Sequence, residues 1–151
     1  MKISTKAHYG LKVVIAIADI GKPDEPVSVT DIAHSEGLTE AYVEQIVGKL
    51  RQAGILCSYR GAKGGYMLKR SPDEISVADV MEASGEQITF PECTTPVGCI
   101  FDRQSKHACA SSHFWQRLND MMLKAAEETT VGQLMRDVGI EPSFKPAKKR
   151  F

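Results

Sequence analysis

The sequence predicts a mainly α-helical protein with one small β-hairpin. Two short segments with apolar residues at helical spacing meet at a turn containing Gly37, which is the pattern of a helix-turn-helix. After Gly54 the pattern changes to short strand-like runs around a glycine-rich turn. Further along, a longer amphipathic segment follows a stretch with three cysteines. Together these observations predict a winged helix-turn-helix domain followed by a long helix.

The first expected helix runs from about Thr5 to Ile20. Its apolar residues fall on one face at helical spacing, namely Ala7, Leu11, Val14, Ile15 and Ala18. Residues 21–26 are rich in glycine and proline and end this helix.

The expected helix-turn-helix comes next. Ser28 and Asp31 have the spacing of a capping box, which begins a short helix that ends near Gly37. Its second helix runs from about Glu40 to Ala53 and turns four apolar residues inward: Val43, Ile46, Val47 and Leu50.

The expected wing is a β-hairpin. Residues 55–60 and 66–69 read as short strands, and the glycine-rich residues 61–65 between them are suited to a hairpin turn. Arg60 and Lys63 lie at the tip of this hairpin.

Beyond the wing, Ser76 caps a short helix that ends near Gly85, and no helical or strand period continues through the cysteine-rich residues after it. A long helix is expected over about 112–128, and Thr130 begins a short last helix. The predicted boundaries are therefore a winged domain over 1–85, a cysteine-rich loop over 86–111, the two last helices over 112–141, and a flexible Pro- and Lys-rich segment over 142–151.

Composition indicates a folded protein with a polyanionic partner. The 42% hydrophobic and 25% charged residues exclude a disordered chain. No apolar run reaches the roughly 20 residues of a membrane span, and residues 1–6 do not resemble a signal peptide, so a cytoplasmic location is expected. Although the net charge is zero, residues 45–70 contain six Lys or Arg and no acidic residue. Such a local positive field suits nucleic acid.

The second helix of the helix-turn-helix is expected to read DNA. A recognition helix presents hydrogen-bonding side chains opposite its core stripe, near its amino-terminal end. The residues placed there are Thr39, Glu40, Ala41, Tyr42, Glu44, Gln45 and Lys49. Glu44 suits cytosine N4 and Gln45 suits adenine, while Arg60 and Lys63 suit a narrow minor groove. The competing interpretation is an ordinary exposed helix beside a hairpin, and the acid-free window favours DNA.

The cysteines Cys93, Cys99 and Cys109 fall in one polar segment. A reducing cytoplasm disfavours a disulfide framework, so this spacing indicates metal or redox chemistry. An iron–sulfur cluster needs thiolates on a pliable segment, whereas zinc or a thiol switch would use the same residues. Cys57, expected on a core-facing strand position, and His34, expected on an exposed helix side, are interpreted as structural.

Several blocks of the sequence resemble the IscR, NsrR and CymR family of bacterial regulators. The blocks are residues 1–6, 42–45, 60–66, 74–80, 115–118 and 129–134, and their order and spacing cover nearly the whole chain. The resemblance implies a homodimer on a palindromic DNA operator, with the helix around residues 114–128 as the dimer seam. It also implies base contacts from Glu44 and its neighbours, wing contacts from Arg60, and phosphate contacts near Thr5 and Lys6.

The same resemblance implies a cluster bound by the three cysteines, as in IscR- and NsrR-like members, but leaves its fourth ligand open. The family histidine falls at the position of Ser112, whereas this chain has His113 one residue later and His107 before Cys109. His8 matches the position from which NsrR-like members supply a ligand across the dimer, and we favour it over His113. A [2Fe–2S] cluster is preferred over [4Fe–4S], because histidine ligands are common there.

These expectations combine into a DNA-binding transcriptional repressor whose operator affinity depends on an iron–sulfur cluster that senses iron–sulfur status, redox state or nitric oxide. The alternatives are a zinc or thiol-switch regulator and a CymR-like regulator that acts through a protein partner. An enzyme is not expected, since the sequence has no Cys-x-x-Cys, His-Glu-x-x-His, phosphate-loop or nucleophile-elbow motif.

Overall fold

The computed structural model describes residues 5–22, 24–85, 110–142 and 144. Within these residues the protein has six α-helices, a short 3₁₀ turn and a two-stranded antiparallel sheet, as the sequence predicts. In chain order the elements are α1 (Thr5–Ile20), α2 (Val29–Glu36), α3 (Glu40–Gln52), β1 (Leu56–Tyr59), β2 (Gly65–Leu68), the 3₁₀ turn (Pro72–Glu74), α4 (Val77–Ala83), α5 (Ala110–Glu128) and α6 (Val131–Asp137).

Helix α1 is the centre of the core. It packs against α2, α3, α4, α6 and β2, so it is buried on more than the single face expected from its periodicity. Val13, Ala16 and Ile17 are buried in addition to the predicted residues, whereas Leu11 and Ile15 are only half-buried. A helix covered on several sides needs a broad apolar surface, which explains the run of small and branched residues in α1.

The helix-turn-helix forms as predicted. The Asp31 amide donates to Ser28 Oγ at 3.1 Å, while the Ser28 hydroxyl donates to the Asp31 carboxylate at 2.6 Å. Ser28 therefore caps α2, while its hydroxyl donates a hydrogen bond to the Asp31 carboxylate. Gly37 ends the helix with φ of 64°, a left-handed conformation that favours glycine.

The wing is the hairpin β1–β2. Leu56 pairs with Leu68 and Tyr59 pairs with Gly65. Val27 adds a short bridge to the outer side of β2, exchanging backbone hydrogen bonds of 2.9 and 2.8 Å with Tyr66. A Cβ on Gly65 would lie 2.2 Å from the Val27 carbonyl oxygen, so this close backbone approach requires glycine.

The last helices are tied to the wing domain through the backbone. Val77 N–H donates to Thr129 O, and Val131 N–H donates to Ile75 O, each at 2.9 Å. Arg136 on α6 forms an ion pair with Asp73, and this hydrogen bond lowers the pKa of the Asp73 carboxyl. The end of α5 is thereby fixed to the segment that begins α4.

The structure corrects one expectation and refines two others. Cys57 does not face the core: Leu56 is buried, and because side chains alternate along a strand, Cys57 lies on the other face and is half-buried. Helix α5 begins at Ala110, two residues before the expected start. Phe144, within the segment expected to be flexible, packs against the core. Among the described helices, none has the length and hydropathy that a bilayer span requires.

Candidate nucleic-acid interface and cysteine segment

The amino-terminal half of α3 presents an exposed polar face. Val43, Ile46, Val47 and Leu50 are buried, while Ala41, Glu44 and Gln45 are exposed on the opposite side. Thr39 caps the helix, since its hydroxyl oxygen accepts from the Tyr42 amide at 3.3 Å. Its hydroxyl proton is not used by this contact. The cap therefore retains a donor of the kind that bonds phosphate oxygens.

Glu40 and Tyr42, both predicted to contact DNA, also have partners within the protein. The Thr30 hydroxyl on α2 donates to Glu40 Oε1 at 2.9 Å, which ties the two helices of the motif together. Tyr42 is half-buried and meets the Tyr9 ring edge-to-face at 5.7 Å, and Tyr9 meets the His8 ring at 5.1 Å. A row of aromatic rings thus joins α1 to the first turn of α3.

Lys49 connects α3 to the end of α4. Its ammonium donates to the Ser84 carbonyl oxygen at 3.3 Å. Ser84 is itself buried, donates to Val80 O at 2.8 Å, and lies so close to Gly10 that a Cβ there would meet its hydroxyl at 2.6 Å. This junction of three helices was not predicted from the sequence, because its only sequence signal is the small size of Gly10 and Ser84.

Outside α3, the cations predicted to contact DNA lie at the start of α1 and on the wing. Lys6 lines a shallow crevice together with Tyr42, Gln45 and Lys49, so the start of α1, where Thr5 is also exposed, is adjacent to the amino-terminal half of α3. Arg60 and Lys63 are exposed on the wing. They line a hollow that is faced from the α1–α2 side by carboxylates, namely Asp24, Glu25 and Asp31.

The three clustered cysteines, Cys93, Cys99 and Cys109, lie outside the described residues, as does His107. The structure describes both flanks of their segment: Gly85 follows the Lys49–Ser84 contact, and Ala110 is the first residue of α5. The other two candidate ligands, His8 and His113, are both exposed. Ser112, at the family's histidine position, is buried, and successive helix residues differ by about 100°, so His113 faces elsewhere.

Helix α5 packs against α4 on one side, where Ala126 is buried. The apolar residues predicted to lie along one side of the helix are divided in their exposure: Leu118 and Met122 are half-buried, whereas Ala125 is exposed, Phe114 is 59% exposed and Met121 is 60% exposed. Large apolar side chains at this spacing on an exposed helix face are a common feature of protein–protein interfaces.

Known proteins share this architecture. The model of the Rrf2 family, described as iron-dependent transcriptional regulators, matches residues 3–137. IscR of Aliivibrio salmonicida is 32% identical over 91% of this chain and 79% of its own length. CymR of Bacillus subtilis is 36% identical over 89% of each chain. The solved structure of CymR, the global cysteine regulator of B. subtilis, has a TM-score of 0.75 and 34% identity over 91% of this chain and 98% of that one.

Proposed function

Because the chain belongs to the Rrf2 family of transcriptional regulators, we propose that it is a homodimeric repressor that binds a palindromic operator and whose affinity for DNA depends on an iron–sulfur cluster. The observation that carries this proposal is the exposed polar end of α3 beside a basic wing. The relatives are named transcriptional regulators, and no enzymatic role is proposed.

The DNA contacts divide into two kinds. Glu44 and Gln45 are exposed near the start of α3 and read base edges in the major groove. Phosphates are bound by the Thr39 hydroxyl and by Thr5 and Lys6 at the start of α1, which fix the register of the helix. Arg60 and Lys63 follow the minor groove on the far side of the half-site.

Ala41 and Tyr42 complete this surface. Ala41 is exposed on the same turn as Glu44 and offers an apolar contact to a thymine methyl group. The ring of Tyr42 packs edge-to-face against Tyr9, which restricts its movement, and its hydroxyl donates a hydrogen bond to a phosphate.

The cysteine segment fits an iron–sulfur cluster by the chemistry of its donors. Cys93, Cys99 and Cys109 supply three thiolates, and the partner subunit's His8 or this chain's own His113 supplies an imidazole. Cys109 directly precedes α5, whose first turn contains no acidic residue to oppose the charge of the thiolates. Such a cluster would supply one-electron redox chemistry, and its bonds to the protein ligands would be lost on oxidation or iron depletion. A [2Fe–2S] cluster suits the mixed ligand set.

Two sets of contacts connect α3 to the flank of the cysteine segment and to a candidate ligand. Ser84 is the second residue before the segment, and its carbonyl oxygen holds Lys49 on α3. A rearrangement at this flank breaks the hydrogen bond from Lys49 to Ser84, frees Lys49 to bond a phosphate, and changes how α3 packs against α4. The His8–Tyr9–Tyr42 row links a candidate ligand to the first turn of α3 in the same way. The state of the segment therefore biases the geometry of the recognition helix.

The first test is the absorption spectrum of protein purified without oxygen, with an iron and sulfide assay, followed by DNA binding before and after removal of iron. We expect visible absorption bands, matching iron and sulfide, and a change in operator affinity of about fivefold to 100-fold. If the protein is colourless, binds DNA and cannot be reconstituted with a cluster, the cluster hypothesis is rejected, and a zinc site or a thiol switch remains.

A second candidate is a CymR-like regulator controlled by a protein partner. It is favoured by the similarity to CymR, which is 36% identical over 89% of this chain, against 32% over 91% for IscR. In that case DNA affinity would not respond to iron removal, and a partner protein would change it instead.

Replacing Arg60 or Lys63 with alanine is expected to weaken operator binding and to reduce the slope of log affinity against log salt by about one per subunit, or about two for the dimer, because each change removes one DNA-contacting cation from each subunit. Both side chains are exposed, so the melting temperature stays nearly unchanged. The matched control is Lys124→Ala, an exposed lysine on α5 whose contact is an ion pair with Glu128. A wing variant that binds like the control would show that the wing does not touch DNA.

Substitution of His8 and of His113 distinguishes which of them is the fourth cluster ligand. His8→Ala is expected to change the visible spectrum and to shorten the lifetime of the cluster in air, whereas His113→Ala leaves both unchanged. Both side chains are exposed, so neither change disturbs the fold, which circular dichroism checks. A wild-type spectrum and lifetime in His8→Ala would transfer the ligand role to another residue.

A further inference from the structure

We propose that Lys12 and Glu36 are positioning residues for the recognition helix, because their ion pair holds the Tyr9 ring against Tyr42 at the start of α3. The proposal rests on the DNA-binding role proposed above. It adds two residues that do not touch DNA themselves and that set how firmly α3 is oriented toward it.

The ion pair joins α1 to α2. Lys12 Nζ lies 2.9 Å from Glu36 Oε2, and this hydrogen bond raises the pKa of the ammonium group. The side chains of Lys12 and Glu36 are 39% and 16% exposed, whereas those of the surface pair Lys124 and Glu128 are 71% and 66% exposed. The pair between α1 and α2 is therefore the less screened by salt and the better able to hold a fixed geometry.

The position of Glu36 shows that its own helix does not favour it. Glu36 is the last residue of α2, and Gly37 after it ends the helix at the turn of the helix-turn-helix. A carboxylate at this end lies beside the negative pole of the helix dipole, where a cation is favoured. The carboxylate is stabilised by Lys12 instead, so the turn before α3 is tied to α1.

The same ammonium group contacts an aromatic ring. Lys12 Nζ lies over the Tyr9 ring, 5.8 Å from its centroid, which is within the range of a cation–π interaction. Tyr9 in turn meets Tyr42 at an interplanar angle of 85° with 5.7 Å between ring centroids, and both residues are half-buried. Because Glu36 holds the ammonium in place, the ammonium restricts the Tyr9 ring, and that ring supports the first turn of α3.

A firmly held α3 favours its preferred DNA sequence over arbitrary DNA. Hydrogen bonds to base edges weaken steeply when donor and acceptor are misaligned, so they depend on the orientation of the helix. Binding to arbitrary DNA depends mainly on the charge of the surface. We therefore expect the ion pair to raise the affinity for a preferred sequence and to leave the affinity for random DNA unchanged.

The test is the charge-reversed double variant Lys12→Glu/Glu36→Lys. It keeps the net charge and an ion pair and places a cation at the end of α2, so the melting temperature is expected to stay close to the wild-type value. It also removes the cation from the Tyr9 ring. The probes are a random-sequence duplex and the tightest-binding duplex that the wild-type protein selects from a random pool. We expect about threefold to tenfold weaker binding to the selected duplex and unchanged binding to the random one.

Three further variants define the route and the controls. Charge reversal in a Tyr9→Leu background is expected to have no further effect on the selected duplex, because the ring that carries the coupling is gone. Lys12→Arg keeps both the ion pair and the cation over the ring, and it is expected to bind like the wild type. Reversal of the surface pair, Lys124→Glu/Glu128→Lys, is the matched control and is expected to change neither affinity.

The proposal is overturned if the charge-reversed protein, folded by circular dichroism, binds the selected duplex like the wild type. It is also overturned if binding to both duplexes falls equally, which would make Lys12 a phosphate contact, or if reversal costs as much in the Tyr9→Leu background. If the charge-reversed protein does not fold, Lys12→Met, which keeps the apolar stem, is expected to lower the ratio of the two affinities. An unchanged ratio then overturns the proposal. A wild-type protein that binds neither duplex at low salt would instead reject the DNA-binding function itself.

Discussion

Replacing Met121 with glutamate is expected to convert the protein from a dimer to a monomer and to weaken operator binding by about 100-fold or more. Met121 is 60% exposed in the single chain, so the glutamate is solvated and the monomer remains folded. In the proposed dimer the same position lies in the apolar seam of α5, where an unpaired carboxylate is costly to bury. Losing the dimer removes the simultaneous contact with two half-sites, which accounts for the size of the effect.

The measurement is molar mass by light scattering, with DNA affinity determined on the same samples. Gln116→Glu is the matched control, because it places the same charge on the same helix at an exposed position outside the stripe of Phe114 and Met121. We expect the control to stay dimeric and to bind DNA normally. A dimeric Met121→Glu protein would mean that the exposed apolar stripe of α5 is not the dimer seam.

The local elements of this fold could be predicted from sequence because each has a local cause. Ser28, Ser76 and Thr130 cap the helices that they were expected to begin, and each accepts a hydrogen bond from a backbone amide within the next three residues. The wing follows equally from its glycine-rich turn and the two short strand-like runs that flank it. The orientation of Cys57 was wrong because a shift of one residue in a strand reverses the face, and sequence alone did not set that register.

Contacts between distant elements could not be predicted, since they depend on tertiary packing. Lys49 looked like a free cation on the recognition helix, yet its ammonium bonds the carbonyl of Ser84, 35 residues further along the chain. Likewise, the burial of α1 on several sides depends on helices that come much later in the sequence. The roles of Glu44, Gln45 and the wing cations remain predictions, supported by exposure and placement.

Replacing Cys99 with serine is expected to abolish the visible absorption of the protein and to fix its DNA affinity at the value of the iron-free form. A serine hydroxyl is a far weaker donor than a thiolate to iron, so removal of one of the three proposed cysteine ligands would leave the proposed cluster incompletely held. Cys93→Ser and Cys109→Ser are expected to behave alike, because the three residues act as a set. Iron and sulfide content falls together with absorption.

Cys57→Ser is the matched control, since it makes the same chemical change at the one cysteine that the structure describes. Cys57 lies on β1, half-buried, and its thiol donates to Met67 O at 3.5 Å, a contact that a serine hydroxyl retains. This variant is therefore expected to keep the wild-type spectrum and the wild-type response of DNA affinity to iron. Loss of colour in Cys57→Ser together with a wild-type spectrum in Cys99→Ser would reject the proposed ligands. If all four serine variants are colourless like the parent but one of the clustered cysteines still controls DNA binding, the segment acts as a thiol switch, and its affinity for DNA then follows oxidation of the thiol instead of iron content.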